Sequence, residues 1–176
     1  MRKIFVTLFL SSSLLAWAGF PTRTQPLNAA AKTELLNALG EILSNGTITQ
    51  EIYERSVYWV NANPCVGVKR YLSNKRIGVL EDAISREQGI RAVKVYSYFE
   101  YNGWFVVYSN ASGGDEPFAF YSESPFEGAH PKKYWSGANA IFETDDLVQW
   151  TIKNVNGIPP KLAECFAWHT TFQRSE

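Results

Sequence analysis

The sequence has few of the side chains that carry most enzyme chemistry, with two cysteines and two histidines among its 176 residues. His130 lies in a Gly-Ala-His-Pro stretch that indicates a loop, and His169 lies in a predicted final strand. No pair of histidines has the helical spacing of a zinc site. No Gly-x-Ser-x-Gly motif is present to form a nucleophilic serine elbow. These absences predict a protein without metal ion or cofactor and favour a function other than catalysis.

The sequence also lacks an excess of charge of one sign, because 17 lysines and arginines balance 17 acidic residues. A neutral chain does not provide the basic surface that binding to phosphate backbones requires, so nucleic acid is not an expected partner. Beyond residue 18 no apolar run approaches the roughly 20 residues of a membrane span. We therefore expect no membrane span once the N-terminal segment has been removed.

The N-terminal residues 1–18 have the three parts of a secretory signal peptide. Arg2 and Lys3 supply a positive start, and an apolar run from Ile4 to Leu15 follows. Ala16-Trp17-Ala18 then provides small residues at the positions that precede a cleavage site. The pattern predicts a periplasmic or secreted protein that is cleaved before Gly19.

Cys65 and Cys165 are the two cysteines of the chain. In an oxidising compartment an even number of cysteines favours a disulfide, although two separate buried thiols are the alternative. A bridge between them would close a loop of roughly 100 residues, which the chain-entropy model values at about 4.7 kcal/mol. We predict that the disulfide forms.

The rest of the chain is predicted to be an extended leader over residues 19–27 and a single domain over residues 28–176. The leader carries two prolines, and three stretches with helical periodicity follow it, near 35–43, 48–60 and 75–88. After Gly89 the apolar period changes to two, which is typical of strands. Helices followed by strands predict an α+β fold in which N-terminal helices pack on one face of a C-terminal antiparallel β-meander sheet.

Asn102-Gly103 is the strongest turn signal, because both residues tolerate the positive φ that a two-residue hairpin requires. The turn predicts a register in which Tyr101 faces Trp104 and Phe99 faces Val106. Further strands are predicted at 118–122, 134–144, 147–155 and 162–172.

Aromatic side chains make up 15% of the residues and are concentrated in the predicted sheet. Alternation along the hairpin predicts that Tyr96, Tyr98 and Phe105 lie on the face opposite Phe99 and Val106. If that face is accessible, the three rings form a candidate binding site, because tyrosine is favoured at protein interfaces. The alternative is a second layer of core beneath the 123–133 loop.

These features favour an exported, non-enzymatic binding protein whose partner is another protein. An inhibitor or a toxin-neutralising immunity protein is one concrete form of this function. Two alternatives remain open at this point. One is a cone-shaped pocket protein that binds a small ligand or carries out simple acid–base chemistry with a buried carboxylate and His169. The other is a structural component of the cell envelope.

The signal peptide gives a direct prediction. N-terminal sequencing of the processed protein is expected to begin at Gly19 or within a few residues of it, because the small residues before Gly19 fit the cleavage rule. Recovery of the exported protein with Met1 still present would contradict the prediction.

Overall fold

The computed structural model describes residues 27–110 and 117–172. The predicted signal peptide and all of the leader except Leu27 lie outside the described residues. Within them the chain forms five α-helices, four strands and one short 3-10 helix. The helices are α1 (Ala29–Ser44), α2 (Gln50–Asn61), α3 (Asn74–Gln88), α4 (Thr144–Asn154) and α5 (Pro160–Phe172). The strands are β1 (Val95–Tyr101), β2 (Trp104–Ser109), β3 (Phe118–Tyr121) and β4 (Lys133–Trp135), and the 3-10 helix is Pro125–Glu127.

The first three helices begin at polar caps that the sequence supplies. The side chains of Asn28, Thr49 and Ser73 each accept a hydrogen bond from a backbone N–H of the first turn. Such caps satisfy donors that the start of a helix leaves without a partner. Helix α3 ends at Gly89, which adopts the left-handed conformation with φ of 67°.

The β1–β2 hairpin has the predicted turn and the predicted register. Asn102 and Gly103 have φ values of 48° and 75°, the positive range that the two-residue turn needs. Tyr101 pairs with Trp104, and Phe99 pairs with Val106. The register shifts between Val95 and Ser97. This β-bulge adds Tyr96 as an extra residue to β1.

The four strands form an antiparallel sheet in the order β1-β2-β3-β4, so the α+β class and the meander are confirmed. The strand predicted at 118–122 is also confirmed, as β3. Only the first residues of the predicted 134–144 strand are in the sheet, as β4.

The strands predicted at 147–155 and 162–172 are wrong, because the chain is helical there as α4 and α5. The buried residues of α4 include Thr144, Leu147, Val148 and Thr151, a spacing that belongs to a helix. Helix α5 is buried on almost every side between Leu162 and Thr170. Burial all round removes the amphipathic pattern by which a helix is recognised, and aromatic and Thr residues then resemble a strand.

Helices pack on both faces of the sheet, and each face has its own core. The first core contains the side chains of Phe99 and Phe120 from the sheet and meets α2, α4 and α5. The second core contains Tyr98 and Tyr121 and meets α3 and the 3-10 helix. The described residues include no helix that is both long enough and apolar enough to cross a membrane.

Tyr98 is a central member of the second core, with 3% of its surface exposed. Its ring lies 6.0 Å from that of Phe126 in the 3-10 helix, and its hydroxyl donates a 2.6 Å hydrogen bond to Glu100 Oε2. We expect Tyr98→Ala to lower the free energy of unfolding by about 3–5 kcal/mol, the usual result of removing a buried ring. Chemical denaturation measures the change.

The matched control is Tyr58→Ala, because Tyr58 is 64% exposed on α2. That change is expected to stay within about 0.5 kcal/mol of the parent protein. Equal effects of the two substitutions would contradict the burial of Tyr98 in the second core.

Candidate protein-binding interface

Residues 65–72 lie in the connection between α2 and α3, and we call them the stapled segment. Its first residues form a turn, in which the N–H of Val68 donates a 3.0 Å hydrogen bond to the carbonyl of Cys65, and its later residues run beside the edge of β1. Its side chains alternate between the interior and the solvent along most of its length. The buried side chains are those of Cys65, Val68, Arg70 and Leu72, and the exposed ones include those of Val66, Lys69 and Tyr71. The buried side chains hold the backbone of the segment in place, so the exposed side chains project into solvent from a fixed backbone.

The first attachment of the stapled segment is the predicted disulfide. The sulfur atoms of Cys65 and Cys165 lie 2.11 Å apart, at bonding distance, and both residues are buried. Cys165 belongs to α5, so the bond joins the start of the stapled segment to the most deeply buried helix. With both sulfurs bonded, neither cysteine offers the thiolate that nucleophilic catalysis requires.

The second attachment is Arg70, whose guanidinium is buried against α5 and the sheet. Its Nη2 lies 2.8 Å from Nδ1 of His169, and its Cζ lies 4.6 Å from the centre of the Phe99 ring. Burial lowers the pKa of Arg70 to about 10, so the group remains charged at neutral pH. A guanidinium only donates hydrogen bonds, so His169 Nδ1 must accept from it.

This contact determines which ring nitrogen of His169 carries a proton. Since Nδ1 accepts, the ring proton is on Nε2, which lies 3.2 Å from the hydroxyl oxygen of Ser97 and donates to it. His169 is therefore held neutral with both nitrogens engaged, and it is buried in α5 rather than located in a final strand. Such a ring is a packing and hydrogen-bonding group, and its geometry does not support a role as general base.

The third attachment joins the stapled segment to the edge of β1. Lys69 and Glu100 exchange two backbone hydrogen bonds of 2.9 and 2.8 Å. Their side chains add an ion pair of 2.6 Å between Lys69 Nζ and Glu100 Oε2. Burial raises the pKa of the Glu100 carboxyl, but hydrogen bonds from Lys69 and Tyr98 outweigh this effect and leave that pKa below its usual range.

The outward surface of the stapled segment carries two large hydrophobic side chains. Val66 is 63% exposed and Tyr71 is 66% exposed, among the highest values for large hydrophobic residues in the described chain. Lys69 lies between them in the sequence, and its exposed side chain forms the ion pair with Glu100. Tyrosine is enriched at protein interfaces relative to the rest of the surface.

The three residues predicted as a binding site do not share one open face. Tyr98 lies in the second core, and Phe105 is half-buried beside it with ring centres 6.2 Å apart. Tyr96 lies on the other side of the sheet, with its ring 5.2 Å from that of Tyr108, and it packs against the first core. The bulge is the cause, because its extra residue places Tyr96 and Ser97 on the same side.

The stapled segment is not among the features predicted from the sequence. A signal is present, because Val68, Arg70 and Leu72 alternate with Lys69 and Tyr71. A buried arginine at an inward position disguises that pattern, since arginine is normally exposed. Among the described residues no group of three or more His, Cys, Asp or Glu side chains is arranged to hold a metal ion.

Comparison of the chain with models of protein families, with curated proteins and with solved structures found no match. The fold and the attachments define the molecule as an α+β domain that presents a disulfide-stapled, partly apolar segment on its surface. The function proposed below is argued from the exposed side chains of that segment and from the contacts that hold it in place.

The attachments predict a measurable rigidity. Replacing both cysteines, as Cys65→Ala with Cys165→Ala, is expected to lower the free energy of unfolding by about 2–5 kcal/mol. It is also expected to speed amide hydrogen exchange in residues 66–72, because one end of the stapled segment is released. Denaturation and exchange followed by mass spectrometry measure the two effects. Unchanged exchange in residues 66–72 would show that the disulfide does not hold the segment.

Proposed function

We propose that this protein is an exported, non-enzymatic binding protein that contacts another protein through the stapled segment. The observation that carries the proposal is that Val66 and Tyr71 are about two-thirds exposed on a backbone that is held in place. The backbone is held by the disulfide, by the Arg70–His169 contact and by the antiparallel bridge to β1. A surface held in this way is ready to bind without first being ordered.

Rigidity matters because ordering a flexible loop on binding reduces affinity. Tyrosine is among the residues that contribute most to interfaces, since its ring provides contact area and its hydroxyl a hydrogen bond. The partner that fits this surface is a protein with an apolar pocket for the Tyr71 ring. Polar groups around that pocket would meet Lys69 and Glu100.

An inhibitor or a toxin-neutralising immunity protein is the concrete form that we propose. The signal-peptide pattern of residues 1–18 supports export, and a disulfide-bonded pair of cysteines is compatible with an extracellular or periplasmic location. The engagement of Cys65, Cys165 and His169 in internal contacts favours binding over catalysis. The alternative of a cone-shaped pocket has less support, because side chains of two cores pack on both faces of the sheet.

The test begins with affinity capture of a partner from the native secreted or periplasmic fraction, with the processed protein as bait. The dissociation constant of the captured protein is then measured for the parent and for Tyr71→Ala. We expect the variant to lose about 2 kcal/mol of binding free energy, or roughly 30-fold in affinity, because a central tyrosine is typical of an interface hot spot. Its thermal unfolding is expected to match that of the parent, because Tyr71 is exposed.

The matched control is Tyr134→Ala, since Tyr134 is also exposed and belongs to β4, at the opposite edge of the sheet from β1. This variant is expected to bind the partner as the parent does. Equal affinity of the parent and Tyr71→Ala for every captured protein would overturn the proposal.

A further inference from the structure

A surface cleft of about 400 Å³ lies between α3 and the 3-10 helix, apart from the stapled segment. Its lining from α3 is Ala83, Arg86 and Glu87, and its opposite wall is formed by residues 126–128 and His130. The volume falls within the range of small-ligand pockets, roughly 300–1,000 Å³. The cleft is wide open to solvent, so a small organic molecule bound there would remain partly exposed.

One wall of the cleft is fixed by a buried carboxylate. The side chain of Glu87 is 10% exposed, and its Oε1 accepts a 2.7 Å hydrogen bond from Nδ1 of His130. Its Oε2 is buried and has no hydrogen-bond partner among the described residues. Since a carboxylate only accepts, His130 Nδ1 carries a proton, and in the neutral ring Nε2 is left as an acceptor. The His130 side chain itself is 81% exposed.

The cleft also holds two opposite charges that are not paired with each other. Arg86 and Glu127 both line it and both are exposed. Among the described residues, neither takes part in an ion pair within 4.0 Å. Arg86 comes from α3 and Glu127 from the 3-10 helix, so the two walls of the cleft carry opposite charges, and neither charge is used in an ion pair among the described residues.

From this arrangement we propose that the cleft binds a free α-amino acid with an apolar side chain, in its zwitterionic form. Its carboxylate would pair with Arg86, whose fork of donors suits a carboxylate. Its ammonium group would donate to Glu127 and to Nε2 of His130. Its side chain would lie against Phe126, which is partly exposed and whose ring also contacts the Arg76 guanidinium, 4.6 Å from the ring centre.

Ligands of a single charge fit the cleft less well. An anion that pairs with Arg86 is repelled by Glu87 and Glu127, and a cation that pairs with Glu127 is repelled by Arg86. A zwitterion carries one charge of each sign and can pair with both residues at once. Glu87 acts here as a positioning residue, because it orients His130 through the 2.7 Å hydrogen bond.

The experiment is a titration of the isotope-labelled protein with L-leucine, followed by NMR. We expect saturable shifts at the amides of Arg86 and residues 126–130. N-acetyl-L-leucine lacks the positive charge and L-leucinamide lacks the carboxylate. Each is expected to bind about tenfold more weakly or worse, the loss that accompanies one hydrogen bond to a charged group.

Two variants test which residue binds the carboxylate of L-leucine and which binds its ammonium group. Arg86→Gln is expected to weaken the binding of L-leucine about tenfold and to remove the preference over L-leucinamide. Glu127→Gln is expected to do the same for the preference over N-acetyl-L-leucine. Both variants are expected to unfold at the temperature of the parent, because neither charge takes part in an ion pair among the described residues.

The controls are Arg91→Gln and Glu123→Gln, which remove one exposed charge of each sign outside the cleft lining. Both are expected to bind L-leucine as the parent does. The proposal is overturned if L-leucine gives no saturable shifts, if the shifts lie away from the cleft, or if the controls weaken binding as much as the cleft variants. Because the stapled segment is not altered, failure here would leave the proposed protein-binding function intact.

Discussion

Helix α5 is the element on which the rest of the structure depends, because the stapled segment is fastened to it at two points. Cys165 and His169 are four residues apart, about one helical turn, so they lie on one side of the helix. Cys65 and Arg70 reach that side from the stapled segment. The position of a surface feature is therefore set by the most buried helix of the protein, and any loss of α5 packing would also displace the exposed side chains of that segment.

Arg70 is an unusual means of attachment, because burying a charge is costly unless hydrogen bonds and nearby aromatic rings compensate. His169 and the Phe99 ring provide part of that compensation. A leucine at the same position would fill the space without fixing the direction of the backbone. The N–H donors of the guanidinium have fixed directions, so its hydrogen bond to His169 forms in only one arrangement of the stapled segment against α5. We interpret the buried charge as a device that favours a unique position over maximal stability.

The local parts of this fold could be predicted from sequence, and the parts that depend on tertiary burial could not. The Asn102-Gly103 turn fixes the hairpin register by backbone geometry alone, and the structure has that register. Helix α5 has no amphipathic stripe, because the sheet and α4 surround it, and its aromatic residues resemble a strand. The predicted face of Tyr96 is wrong because a single bulge residue reverses the alternation. The even number of cysteines and the predicted oxidising compartment are enough to predict the disulfide. The neighbouring contact of Arg70 with His169 depends on α5, a helix that the sequence pattern does not indicate.

Both cysteines and the buried histidine are engaged in contacts inside the domain. The two cysteines are bonded to each other, and the buried histidine accepts from an arginine and donates to a serine. These contacts fix the position of the stapled segment on the surface of the domain. The exposed histidine, His130, is held by Glu87 at the rim of a cleft that also carries an arginine and a second glutamate. Held charges and exposed rings on a rigid support recognise ligands by shape and charge complementarity, and both proposed binding surfaces rest on groups of this kind.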